Sequence, residues 1–347
     1  MTIPSIGGNN NFKNKVQIKS LQPTEYQPSN TNSNNVKVDE AEYSIAKFKQ
    51  QYNEIFHNKV LPIIEQYDAE RKKRLYGAII ACVILTILGI FLFFTLEGRS
   101  AGDAAGLCIG GAVALWAFLK KSFEKKVKRK IMPLLMQAFN GFYWQETPPV
   151  KHEEICEINI FPNAKNLVKS FDDCFVGKYR NVCVNLSECK YETGGKHSQT
   201  VFNGVVIKLK MNKNFDGITI IRPKNVGTNN FSDLKKKKME LVELEDVEFN
   251  KEYGVYSTDQ IEARYLLTTS FMERFKHISL AFSSIGSFGA FYGDSVYIAP
   301  YTCGDLFNLF GLTKPVTDTT QFEVLFEEFV SILALVDHFK LDKKLGL

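Results

Sequence analysis

The 347-residue chain has no CxxC pair, no HExxH helix signature and no GxxxxGK[ST] loop. Those absences remove the familiar zinc-finger, zinc-hydrolase and nucleotide-triphosphate readings. Its seven cysteines are an odd set without regular spacing, as expected of free thiols in a reducing compartment. Cys174, Cys183, Cys189 and His197 fit no known finger or ribbon, and the five histidines are scattered, so neither a metal nor a cofactor is expected. No repeat of 20 to 50 residues appears. The averages (45% apolar, 23% charged, mean hydropathy −0.14, net charge +5) describe an ordinary soluble protein, but an average hides clustering.

Charge is missing from one place in particular. Leu75 to Leu96 runs for 22 residues without a charged side chain. At about 1.5 Å per residue this reaches roughly 33 Å, enough for a bilayer hydrocarbon core of about 30 Å. A second uncharged run, Ala104 to Leu119, follows a short polar break, and extending it back to Ser100 adds only Asp103. The pattern predicts a transmembrane hairpin over 75–119, with spans 75–96 and 100–119. Lys120 and Lys121 are placed to snorkel at the end of the second span.

Basic residues crowd one side of this hairpin. Arg71, Lys72, Lys73 and Arg74 precede it, and Lys120, Lys121, Lys125, Lys126, Lys128, Arg129 and Lys130 follow. The positive-inside rule then puts both termini in the cytoplasm of a bacterial inner membrane, with no cleavable signal expected in the polar first 40 residues. With Glu124 counted among them, the segments 71–74 and 120–130 carry +10, leaving −5 on the rest of the chain. Nucleic-acid binding by the remainder is therefore not expected. Anionic lipid headgroups are the expected partners of Arg71 to Arg74, Lys120, Lys121, Lys125 and Lys126. Gly102, Gly106, Gly110 and Ala114 recur every fourth position in the second span. Such a stripe lets helices pack closely, most simply against the other hairpin helix, and otherwise in a homo-oligomer.

Residues 1–38, rich in Asn, read as a disordered tail. An amphipathic helix is expected over 39–74, bending near Pro62, and a basic juxtamembrane helix over 120–147. Pro148-Pro149 marks a boundary before an α+β domain over 153–347. There, Val182 to Ser187 and Val205 to Met211 alternate as strands of a mostly antiparallel sheet with one buried face. Gly194 to Ser198 reads as a hairpin loop, and Gly293-Asp294 as a type II′ turn. Capping boxes at Ser257/Gln260, Ser270/Glu273 and Thr320/Glu323 predict three helices, the last long and broadly apolar.

The stretch Phe249 to Arg274 reads FNKEYGVYSTDQIEARYLLTTSFMER. It resembles the signature of a family of bacterial membrane proteins of unknown function, family 3137, whose block runs approximately F…VY.TDQ.EARY.LT..FMER. Phe202-x-Gly204 and the Val296 to Ala299 strand agree in order, while Gly254 stands where the pattern has an aromatic. The resemblance implies topology and fold, and carries no activity. Within it, Asp259, Glu262 and Arg264 form the polar cluster most suggestive of chemistry. Two readings stay open: a membrane-anchored binding or scaffold protein, working with a protein partner or a second copy, and a membrane-tethered hydrolase-like enzyme using Asp259 and Glu262. The first is expected, and no catalytic residue is assigned.

Overall fold

The computed structural model describes residues 45–96, 99–180, 182–211, 213–226, 231–302, 304, 306–307, 312–313 and 320–339. The Asn-rich segment 1–38 lies outside them. Helix α1 (Ile45–Ile55) passes through a π-helical turn, Phe56–Val60, into α2 (Leu61–Thr95). Pro62 lies inside one continuous helix, directly after the π turn, whose wider winding stands where the proline ring and its missing N–H interrupt the α-helical ladder. Helix α3 (Arg99–Leu135) returns antiparallel and runs unbroken from the second apolar segment into the basic one, with Pro133 tolerated near its end.

The domain continues with β1 (Tyr143–Gln145), α4 (His152–Ile158), β2 (Leu167–Tyr179), β3 (Val182–Thr193), β4 (Thr200–Lys210), β5 (Thr219–Pro223), α5 (Ser232–Lys236) and β6 (Glu240–Leu241). Then come α6 (Val247–Glu252), β7 (Tyr253–Ser257), α7 (Gln260–Leu266), α8 (Thr269–Ala281), β8 (Gly286–Tyr292), β9 (Ser295–Tyr301) and α9 (Thr320–Phe339). Among the described residues, nine strands form one antiparallel sheet in the order β1-β2-β3-β4-β9-β8-β5-β7-β6. The α+β class therefore holds. Pro148-Pro149 is not a clean division, because β1 precedes it and already pairs with β2.

Both faces of the sheet are buried, where alternation suggested one. Val205, Ile207, Leu209 and Ile298 pack beneath α1, the inner halves of α2 and α3, α8 and α9. On the other face Tyr191, Phe202, Tyr297 and Ala299 meet Ile155, Ile158 and Phe161 around α4. An aromatic seam fastens the helical stem to the domain. Phe139, just past α3, lies 5.8 Å from Phe48 of α1 and 4.4 Å from Phe329 of α9, and Phe329 lies 5.4 Å from Phe175 of β2. The buried Tyr52 hydroxyl donates to the Phe322 carbonyl at 2.7 Å, closing the same seam.

The β8–β9 turn is type II′ as expected: φ is +58° at Gly293 and not positive at Asp294. Two glycines explain features of the resemblance. A Cβ at Gly204 would overlap the Pro300 carbonyl where β4 crosses β9. At Gly254 a Cβ would sit 3.0 Å from the Phe231 ring, which stacks on Tyr256 at 5.1 Å.

Candidate functional site

Asp259 and Glu262 hold backbone. Asp259 caps α7, its Oδ1 accepting from the Ile261 and Glu262 amides at 2.9 Å each, so it replaces the expected Ser257 cap. The Ser257 hydroxyl instead accepts from the Asp259 amide at 3.0 Å. Glu262 clamps the approach to β5, accepting from Asp216 N at 3.0 Å and Gly217 N at 2.9 Å. Arg264 is exposed on another side of the helix, as about 100° per residue requires. The three side chains form no common constellation. Likewise α8 is capped by Thr268, accepting from Phe271 N at 3.2 Å, in place of Ser270.

The juxtamembrane residues divide in two. Arg71 departs from its expected headgroup position: it is buried, donating to Asp68 at 2.8 Å and to the Leu312 carbonyl at 3.1 Å. Arg74 is half-buried and pairs with Glu70 at 2.7 Å. Lys72, Lys73, Lys120, Lys121, Lys125 and Lys126 are exposed. Lys126 crosses from α3 to Glu70 of α2 at 2.7 Å, and this bond is the leading cause holding the Glu70 carboxyl low. Arg129, then Lys125, hold Glu146 down to about 2. Solvent screens exposed pairs of this kind, so they contribute little to stability.

Beneath them lies a feature with no local sequence signal. The β2–β3 register shifts between Phe171 and Cys174, a bulge at Asp172-Asp173. It turns Asp173 inward against α3, where Lys128 Nζ donates at 2.5 Å and Trp144 Nε1 at 2.8 Å. Asp173 is fully buried and Lys128 nearly so. Burial pushes the Asp173 carboxyl up to about 6, against the opposing pull of Lys128. Over this knot opens a cleft of about 470 Å³ between α3 and the β2–β3 bulge.

The small-residue stripe does not face the other hairpin helix. Gly102, Gly106, Gly110 and Ala114 are exposed, and a Cβ at any of the three glycines would meet nothing within 4 Å. The hairpin packs instead through Ala78, Gly89, Ala101, Cys108 and Ala112; a Cβ on Gly89 would lie 3.1 Å from Cys108 Cβ.

Other candidates resolve into structure. Among the described residues no three His, Cys, Asp or Glu side chains gather as metal ligands. His152 Nε2 lies 3.3 Å from Cys156 Sγ and Nδ1 lies 3.2 Å from Tyr191 Oη, a pair visible beforehand only as an i, i+4 spacing. Burial pushes the imidazole down and the thiol up, so both stay neutral, unlike an activated nucleophile. Gly98-Arg99-Ser100-Ala101-Gly102 spells GxSxG, but the nucleophile elbow needs a strand before the turn, and here a helix ends at Thr95.

No curated protein matches the sequence. Among solved structures, the crystal structure of the mycobacterial trehalose monomycolate transport factor A, TtfA, matches with 12% identity and a TM-score of 0.30, over 59% of this chain and 91% of that one. A likeness that distant carries no argument. A family model described as "Protein of unknown function (DUF3137)" matches residues 200–341, a span that contains the whole Phe249–Arg274 block. The family that this block resembles is therefore the one that residues 200–341 match, DUF3137.

Proposed function

We propose that the chain is a membrane-anchored binding or scaffold protein of a bacterial inner membrane. Its 75–119 hairpin crosses the bilayer twice, and both termini and the α+β domain lie in the cytoplasm. The observation that carries this reading is the naked apolar surface of the hairpin. The most apolar windows of the two long helices are only 11% and 6% buried, whereas a soluble core helix of that length is covered on most faces. Ile80, Ile84, Ile87 and Phe91 on α2, and Leu107, Val113 and Phe118 on α3, all point outward. Lipid is the solvent that makes so large an apolar belt stable.

The scaffold half rests on how the spans end. Both helices run without a break from the belt into the stem, and the aromatic seam locks the stem to the sheet. The domain is thereby held at a fixed height and orientation over the membrane, which suits presenting a surface to a protein partner or a second copy. The hydrolase alternative loses its basis, since Asp259 and Glu262 are occupied by backbone amides.

Alkaline carbonate extraction of membranes tests the anchor. The full chain is expected to stay in the pellet, and a variant with Ile84, Ile87 and Phe91 changed to Asp to be lost from it. Release of the unaltered chain by carbonate would contradict the reading.

A further inference from the structure

The exposed stripe and the juxtamembrane cleft are parts of one surface. At about 100° per residue, Gly102, Gly106, Gly110, Ala114 and Ala117 trace a strip that drifts slowly round α3 and leads onto the face bearing Lys121, Glu124, Lys125 and Lys128. Those last four residues, at i, i+3, i+4 and i+7, form the helical wall of the 470 Å³ cleft. Along the hairpin the strip is a shallow trough. Leu107 and Phe118 stand on one side, Ile109 and Val113 on the other, and all four are exposed. Lys121 comes two residues after Leu119, the end of the second span, and Lys128 about 10 Å deeper at about 1.5 Å per residue. The cleft therefore starts at the headgroup layer and runs away from the hydrocarbon.

Its lining carries both signs. Lys121, Lys125, Lys128 and Lys190 supply ammonium groups; Glu124, Glu146, Asp172 and Glu188 supply carboxylates. The order with depth is also informative. Lys121 stands at the mouth. Glu146 is held between Lys125, at 3.0 Å, and Arg129 in the middle, and Asp172 lies 3.8 Å from Lys128 at the base with its side chain 61% exposed. A cation meets the incoming group first, and the exposed Asp172 carboxylate lies behind it. Trp144 and Phe171 add apolar wall.

Resting on the membrane reading above, we propose that this surface binds one phospholipid with a zwitterionic, primary-amine headgroup. The phosphate lies at Lys121, the ammonium reaches the exposed Asp172 carboxylate, and one acyl chain lies in the Gly102–Ala117 trough. The four ammonium and four carboxylate groups balance along the lining, so it complements a headgroup that carries both signs, and a primary ammonium, unlike a quaternary one, can donate hydrogen bonds to a carboxylate. A second helix laid in the trough would fill the trough and leave the cleft vacant, whereas a lipid fills both.

Native mass spectrometry of the full chain tests this. The protein is released from nanodiscs made of equal parts phosphatidylethanolamine, phosphatidylglycerol and phosphatidylcholine. Phosphatidylethanolamine is expected to be retained about tenfold over the other two, which corresponds to about 1.4 kcal/mol. Gly110→Leu, which fills the trough, and Asp172→Lys, which reverses a charge outside the hairpin, should each remove most of that preference. Gly77→Leu, at an open position on the other helix, should leave it unchanged. Added phosphoethanolamine should not displace the lipid, because the trough contributes. Equal retention of the three lipids, retention unaffected by both variants, displacement by phosphoethanolamine, or a lipid-free dimer abolished by Gly110→Leu would each overturn the proposal. Carbonate extraction of the same preparations separates the two claims. Loss from the membrane contradicts the anchor, while firm retention without bound lipid contradicts only this site.

Discussion

Lys128→Ala is expected to cost the folded protein about 3–5 kcal/mol at pH 7, because it leaves a fully buried carboxylate without its ammonium partner. The loss should shrink as the pH is lowered, and the sign follows from Asp173. Its carboxyl stands at about 6 in the folded protein against an ordinary 3.8, with desolvation as the leading cause and Lys128 pulling the other way. A raised acid binds its proton more readily folded than unfolded. Its contribution to stability is therefore greatest below 3.8 and declines as the pH climbs from 3.8 to about 6. Removing Lys128 takes away the opposing pull and drives the carboxyl higher still. The variant should then melt much earlier than the unaltered protein at pH 7 and only modestly earlier at pH 5. Adding Asp173→Asn should restore most of the difference at pH 7, since no bare charge is left. Thermal unfolding in detergent at the two pH values reads both effects. A deficit below about 1 kcal/mol that ignores pH would show that Lys128 and Asp173 do not form the buried pair described.

Phe139→Ala is the second large expectation, at about 3–5 kcal/mol. The ring touches α1 through Phe48 and Tyr52 and α9 through Phe326 and Phe329, at centroid distances of 4.4 to 6.1 Å. Its loss opens a cavity where stem, sheet and last helix meet, and no neighbour is free to collapse into it because each is held by other rings. The expected outcome is a lower melting temperature with faster proteolysis near Pro148-Pro149, and unchanged retention in carbonate-washed membranes. By contrast, Tyr143→Ala removes a side chain that is exposed on the edge strand and should change stability little. Equal effects from the two would mean that the seam does not fasten the stem.

These two features also mark where the sequence stops being readable. Long unbroken elements were legible because one physical signal repeats along them. Twenty-two uncharged residues, strands such as Val205 to Met211, and the Gly293-Asp294 turn each announce themselves within a few neighbours. The buried knot does not. Lys128 and Asp173 are 45 residues apart, and the bulge that brings them together places two aspartates inside β2. Those aspartates broke the alternation that would otherwise have revealed the strand. The double burial of the sheet was hidden for a related reason: Lys208 looks like a solvent-facing residue, yet it pairs with Glu154 of α4 at 2.5 Å. At the helix starts, Ser257 and Ser270 had suitable partners three residues on, but Asp259 and Thr268 lay nearer the observed ends and took the caps. The candidate cluster fails on the same point, since a carboxylate that looks available in sequence is satisfied by amides in the fold. The small-residue stripe was visible, but its direction was not, because periodicity sets a face without saying what it faces.

The central claim is that the hairpin spans the bilayer twice and holds the α+β domain on the cytoplasmic side. Its most direct test is labelling of intact cells with a membrane-impermeant maleimide, using single cysteines in an otherwise cysteine-free chain. Ser100→Cys, at the start of α3, should be labelled from outside. Lys196→Cys, in the exposed β3–β4 loop, should be labelled only after the cells are permeabilised. Labelling of Lys196→Cys in intact cells, or protection of Ser100→Cys there, would contradict the account.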